Sequence, residues 1–321
     1  AQLIRADDGF HLWSETYDRS TADIFGVQGE IAEKIASALG VVLDEQQRDR
    51  MQKTGMQNPE AFIAFQKGRE LFVRAHELSD AEEIALLAEA NVYFEKAIEL
   101  EPESAWAYGN HADYYVHLAA LADITSDEAG LAAAEATLDA AKDDLLNAAR
   151  FAPDGGARLS NTLEYALISR EWRRLPALYR SATTTTECLG ISWWGGLGYF
   201  SEPLEDTLTM WRRARACNPL SFYDWANLAN VQLIQGDLEG AIETASEGLE
   251  LIQHRQLSDI LIIAYAGLGQ YEKALAVNNQ LTEESVMRRL NRIKIEAARG
   301  DADLVRSLRQ ELVDDEGEDI I

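Results

Sequence analysis

The chain is short of cysteine, of basic residues and of long apolar runs, and each shortage removes a class of protein. Its two cysteines, Cys188 and Cys217 among 321 residues, are too few for a disulfide framework. They fall on different predicted elements and leave the redox compartment open. Twenty-nine Lys and Arg stand against 55 Asp and Glu, giving a net charge of -26. Such a surface repels phosphate backbones and anionic lipid, which argues against nucleic acid and direct membrane contact and favours a basic or neutral polypeptide as partner. The longest strongly apolar stretch, ILIIAYAGLG at 260–269, is too short to cross a bilayer. With neither a basic leader nor an initiator methionine, Ala1 reads as a cut end. Hydrophobic residues make up 47% of the chain, enough to bury the core of one large domain or two smaller ones.

The first residues read as β and almost everything after Ala22 as helix. AQLIRA, a turn at Asp7, Asp8 and Gly9, and then FHLWSETYD form a predicted hairpin over 1–18. Two strands are marginal in water, so a hairpin carrying Leu3, Ile4, Leu12, Trp13 and Tyr17 needs more strands or a covering helix. STADIFGVQGEIAEKIASALGVVL supplies a helix capped at Ser20 or Thr21, with Ile24, Phe25, Val27, Ile31, Ile35 and Leu39 at broadly helical spacing. The run from Gln2 to Leu39, above all HLWSETYDR and DIFGVQGEIA, resembles the last hairpin and closing helix of the TolB-like amino-terminal domain. That domain stands in bacterial signalling proteins between an output module, a nucleotide cyclase or a CadC-type winged-helix regulator, and a tetratricopeptide array. The resemblance covers about the last third of such a domain, so residues 1–43 read as its carboxy-terminal fragment; the rival reading is a hairpin that caps a helical array. On the first reading the segment is expected to lack stability alone and to pair with a second copy, as a homodimer, or to pack on the first repeat.

Residues 44–60 are polar, contain Gly55 and end in Asn-Pro, and read as a linker. After them a pattern recurs. Ala90, Phe94, Ala97 and Pro102 stand at offsets 0, 4, 7 and 12, as do Ala141, Leu145, Ala148 and Pro153, and Thr207, Trp211, Ala214 and Pro219. This is the second-helix signature of a tetratricopeptide repeat: small residues let paired helices approach, a large one fills the groove beside them, and proline stops the helix. Trp225, Leu228, Gly236, Asp237 and Ala241 match a whole repeat, and Leu261, Tyr265, Gly269 and Ala274 another, with a degenerate copy around Gly300. Pro153 and Pro219 lie 66 residues apart, two repeat lengths, which puts a weaker unit between them with Leu175, Tyr179 and Ala182 in its second helix. Pro102 to Pro153 leaves room for an insertion near 120–141. The expected fold is an all-α, right-handed solenoid of about seven helix pairs over 61–313, followed by a frayed acidic tail at 314–321.

Chemistry-bearing groups have quieter explanations. His111, Asp113 and His117 resemble metal ligands, but residues six apart on a helix face different ways, so no metal site is expected. WWGGLG at 193–198 follows no strand and has no lysine, and reads as a close helix crossing rather than a phosphate cradle. SATTTTE at 181–187 reads as a connector. Pairs such as Asp143 and Asp144, or Glu82 and Glu83, read as solvated faces. No nucleophile, nucleotide or cofactor motif emerges, so the expected activity is binding, with no enzyme and no cofactor.

In the resembled repeat family the sixth and ninth residues of each first helix face a concave groove, often as asparagines that bond a peptide backbone. The sixth positions here are Asn110, Asn161 and Asn227, and one ninth is Asn230. Trp106 and Tyr223 are expected as apolar contacts, and Asp113 and Glu164 as charges. The family's carboxylate clamp adds Lys or Arg beside the asparagines; Gly109, Asp113, Ser160, Glu164 and Ala226 stand there instead, which favours a basic or neutral ligand. Two functions follow: a scaffold holding a peptide or helix of a partner protein, and the regulatory arm of a bacterial signalling protein whose output domain precedes residue 1.

Overall fold

The computed structural model describes residues 1–5, 9–20, 23–38, 56–76, 80–120, 128–190, 194–196, 204–281 and 286–316. It is mostly helical, with one short antiparallel sheet. Strands β1 (Gln2–Ile4) and β2 (His11–Ser14) pair Gln2 with Ser14 and Leu3 with Trp13, with an irregularity after Leu3. No residue of this sheet is buried and Ile4 stays 44% exposed. Helix α1 (Ile24–Ala38) follows. Its Phe25 ring meets Phe62 edge-on at 5.3 Å and joins a core of Met56, Ala61, Ala64, Ala97 and Ala107, so the amino-terminal segment packs on the first helix pair.

The remaining helices are α2 (Pro59–Ala75), α3 (Asp80–Leu100), α4 (Ala105–Ala120), α5 (Glu128–Arg150), α6 (Gly155–Ile168), α7 (Leu175–Thr184), α8 (Leu204–Cys217), α9 (Phe222–Ile234), α10 (Leu238–Leu251), α11 (Arg255–Gly267), α12 (Tyr271–Asn278), α13 (Val286–Arg299) and α14 (Ala302–Glu316). They divide into two compact units, 1–175 and 176–321. In the first, α2 packs on α3, α4 on α5 and α5 on α6; in the second, α8 packs on α9, and α9 to α14 pack mainly on their sequence neighbours. This succession of helical hairpins fits a repeat solenoid.

The small-and-large pattern works as the spacing predicts. Ala90, Phe94, Ala97, Ala141, Ala148, Thr207 and Trp211 are wholly buried, and Leu145 and Ala214 nearly so. The weaker unit behaves alike, with Leu175, Tyr179 and Ala182 buried. Hairpin turns repeat in detail. Arg170, Gly236, Gly269 and Gly300 all take positive φ, of 58°, 79°, 70° and 89°. In each case the next residue donates its N–H to the carbonyl five positions back: Glu171 to Ala166, Asp237 to Gln232, Gln270 to Tyr265 and Asp301 to Glu296. This closure satisfies last-turn carbonyls and favours glycine, which has no Cβ to clash. Asp237 then caps the next helix by accepting from Gly240 N at 3.0 Å.

Several boundaries differ from the sequence reading. Asn58 and Pro59, assigned to the linker, begin α2: the Asn58 side chain accepts from the N–H groups of Glu60 and Ala61, and Pro59 sits in the first turn, where its missing N–H costs nothing. Most of the linker, 44–55, lies outside the described residues, as do 39–43 before it. At the other end α14 continues to Glu316, so 314–316 are helical rather than frayed, and 317–321 lie outside the described residues. The insertion contributes a lengthened α5 of 23 residues, while 121–127 are not described. Of WWGGLG, residues 194–196 form a short 3-10 turn in which Trp194 is fully buried. Among the described residues, a Cβ on Gly196 would meet nothing within 4 Å. The two cysteines, expected on separate elements, bond to each other: Cys188 after α7 is joined to Cys217 at the end of α8.

Candidate functional site

The residues expected to line a groove fall in both units. In the first, α4 carries Trp106, Asn110, Asp113 and His117 along one stripe, because offsets of 4, 7 and 11 return to one face. That stripe meets α2. The Arg69 Nη1 donates to Asn110 Oδ1 at 2.8 Å, and the Asn110 amide donates to the Trp106 carbonyl one turn earlier at 2.8 Å. Asn110 therefore serves first as a bridge between two first helices. Burial pulls the Arg69 guanidinium's pKa down, the Asp113 charge acting the other way, and its face covers the Phe72 ring at 5.0 Å. Trp106 is 51% exposed at the open end of the stripe. On the other flank, a Cβ on Gly109 would lie 3.8 Å from Asn161 Oδ1, so Asn161 of α6 reaches the same face. Glu164, one turn further along α6, is half-buried.

Asp113 and His117 meet a residue that sequence reasoning did not select. The Nε2 of His76, which caps the end of α2, lies 3.4 Å from Asp113 Oδ2, and His117 Nε2 lies 3.4 Å from the same oxygen. Burial pulls the His76 pKa down, but the hydrogen bond and charge of Asp113, helped by the Phe72 carbonyl and Glu83, leave it raised. His111 goes elsewhere. It is buried and its Nδ1 lies 2.7 Å from Asp144 of α5, so the triplet His111, Asp113 and His117 is split between two faces of α4, as six-residue spacing requires. What joined His76 to α4 was the side-by-side stacking of first helices, which shows in the sequence only as offsets of 37 and 41 residues.

In the second unit Asn227 is 8% exposed and donates to the Tyr223 carbonyl at 2.8 Å, repeating the Asn110 contact. Tyr223 meets the buried Trp211 edge-on at 5.8 Å, and Asn230 is half-buried. Beside them Asp224 is buried in the first turn of α9, where burial raises its carboxyl to about 6 although a hydrogen bond from Ser221 works against the rise. The folded chain thus holds a proton on Asp224 more tightly than the unfolded chain does. Stability from this group is complete below about pH 4 and is lost as pH rises through about 6. A rise of this size corresponds to about 3 kcal/mol, from which the favourable field of the helix amino terminus removes up to about 1. Asp224→Asn should therefore stabilise the protein by about 2 kcal/mol at pH 7.5 and not at pH 4; equal gains in urea melts at both pH values would disprove the assignment. Further along, a cavity of about 340 Å³ is lined by Asn278, Asn279, Arg288, Arg289, Arg292, Leu308 and Glu311. Its arginines are engaged, Arg289 with Asp315 and Arg292 with the buried Glu296.

The stacked helices and their polar stripe can be set beside known proteins. Over 110 residues, 34% of its length, the chain is 33% identical to a protein of Rhizobium meliloti (strain 1021) named "Putative adenylate cyclase 3". The similarity is confined to this stretch. The match spans 18% of that protein, so the chain corresponds to about a fifth of its relative's length. No family model matches the chain. Among the described residues no helix is long and apolar enough to cross a membrane.

Proposed function

We propose that this chain is a non-catalytic interaction arm of a bacterial signalling protein: a tetratricopeptide-type array that holds a peptide or helix of a partner protein on its first-helix face. The observation that carries the reading is the face formed by α2, α4 and α6, where Trp106 stands exposed at one end of a polar stripe in which Arg69 bonds Asn110 and Asn161 lies beside Gly109. An exposed aromatic beside satisfied polar groups is the usual composition of a protein-binding hot spot. The partial likeness to an adenylate cyclase supports placing this arm beside an output module, and the repeated turns and small-residue packing support the repeat type. An enzyme finds less support, because the buried His111 is engaged with the half-buried Asp144 and the groove residues engage one another. A scaffold that acts without any output module is the second reading, favoured by the same face.

The test is affinity capture from the source organism with the wild-type chain, Trp106→Ala and Trp172→Ala, read by quantitative mass spectrometry. Trp172, 60% exposed in the turn between α6 and α7, serves as control. A partner should be depleted at least tenfold by Trp106→Ala and retained by Trp172→Ala, since a hot-spot truncation costs about 2 kcal/mol or more. Retention by both variants moves the interface off the first helices.

A further inference from the structure

We propose that His76, Asp113 and His117 form a binding site for one divalent transition-metal ion of the zinc type, which staples the end of α2 to the middle of α4. The three ligand atoms, two imidazole nitrogens and one carboxylate oxygen, lie within 4.8 Å of one another. Two of the three separations are 3.4 Å. A tetrahedral ion holding nitrogen and oxygen at about 2.0–2.1 Å separates neighbouring ligand atoms by about 3.4 Å, so the edges through Asp113 already have the required length. The edge between the imidazoles is at most 4.8 Å and must close by no more than about 1.4 Å. Their rings stand perpendicular with centroids 5.1 Å apart, which leaves both Nε2 atoms pointing inward without a ring clash.

The surroundings set the tautomers. His76 Nδ1 lies 2.8 Å from the Phe72 carbonyl, which can only accept, so Nδ1 carries the hydrogen and Nε2 presents its lone pair toward Asp113. His117 Nδ1 lies 3.3 Å from Glu83 Oε1 of α3, and an ionised carboxylate imposes the same choice. Each imidazole thus has a carbonyl or carboxylate behind it, the outer arrangement that orients histidines on metals and raises their basicity. Two lone pairs and an anionic oxygen converge on one point, a natural seat for a cation. Two histidines and a carboxylate suit zinc, cobalt or nickel better than calcium or magnesium, which prefer oxygen alone. The side chains of His76, Asp113 and His117 are 31%, 14% and 17% exposed, so an ion can enter from the surface and a water can fill the fourth position. The competing account is a proton-shared cluster in which Asp113 binds protonated histidines and no metal.

The experiment uses the full chain, stripped with chelator and titrated with Co2+, whose tetrahedral complexes have strong visible bands. One equivalent of Co2+ should produce those bands, Zn2+ should displace them, and Zn2+ should raise the melting temperature by several degrees. His76→Ala and His117→Asn should each weaken binding at least 100-fold and abolish the thermal shift. Glu83→Gln, which leaves the ligands but alters the partner of His117, should weaken it about 10-fold. His11→Asn, on the exposed hairpin, should change nothing. His76 caps a helix at the surface, so His76→Ala should keep the metal-free circular dichroism and melting point; if it does not, His117→Asn and Glu83→Gln read the same site from other helices. Absence of the tetrahedral bands, or binding that survives both histidine substitutions, would establish the proton-shared cluster and overturn the proposal.

Discussion

Phe94→Ala should be the most damaging single substitution described here, costing about 3–5 kcal/mol of unfolding free energy. The ring is fully buried between α2 and α3 and touches Phe65 and Phe72, with centroids at 5.8 and 6.2 Å. It occupies space that Gly68 leaves open: a Cβ at 68 would lie 2.6 Å from Phe94 Cε1 and 2.8 Å from Cδ1. Gly68→Ala gains about 1 kcal/mol of helix propensity, but a ring enclosed on all sides cannot retreat, and overpacking costs about 1–3 kcal/mol. The net result should be a loss. Because Gly68 and Phe94 share one volume, the effects of Gly68→Ala and Phe94→Leu should not add; the pair should be more stable than the sum by at least about 0.5 kcal/mol. Urea unfolding of the four chains measures this, and strict additivity would show that the ring does not depend on the glycine.

Opening the bond between Cys188 and Cys217 should have the second largest effect. The bridge spans 29 residues of sequence, and closing a loop of that length removes enough unfolded-chain entropy to stabilise by about 3.6 kcal/mol. Inside the loop Trp194 is fully buried and meets Tyr179 at 6.4 Å, so the effect should appear in tryptophan fluorescence as well as in the midpoint. Both cysteines are exposed and within reach of a reductant in the native state. Wild-type protein should lose midpoint when reduced, whereas Cys188→Ser/Cys217→Ser should start lower and ignore reductant. A wild-type midpoint indifferent to reductant would mean that the bridge does not constrain the unfolded chain.

What could be read from the sequence was governed by local spacing. Ala90, Phe94 and Ala97 announce a buried helix seam because helix periodicity places them on one stripe whatever lies opposite, and Gly236 and Gly269 announce turns because few other residues tolerate that backbone. The asparagines were legible as positions but not as contacts. Asn110 is held by Arg69 from another helix, 41 residues away, and only the stacking of first helices brings them together. The meeting of His76 with Asp113 and His117 was hidden for the same reason, since the motif that attracted attention used the wrong histidine of α4. The cysteine bond escaped notice because no repeat spacing is legible in the sequence between the two cysteines, leaving no register from which to infer their proximity. Asn58 and Pro59 looked like a linker because the same pair serves equally to end a loop and to begin a helix.

The four positive-φ turns have a consequence for how such a chain changes length. Arg170 precedes Gly236 by 66 residues, Gly269 follows after 33, and Gly300 after 31. Hairpins that bend through the same backbone state are interchangeable parts: a whole pair can be duplicated or deleted while the flanking pairs keep the same junctions. Length variation among chains of this kind should accordingly come in steps of about 33 residues, and single-residue insertions should collect between the pairs rather than within them. Arg170 marks the exception. It holds the left-handed state with a full side chain at a strain of about 1 kcal/mol, and a junction maintained against strain is one whose position in the array is not interchangeable.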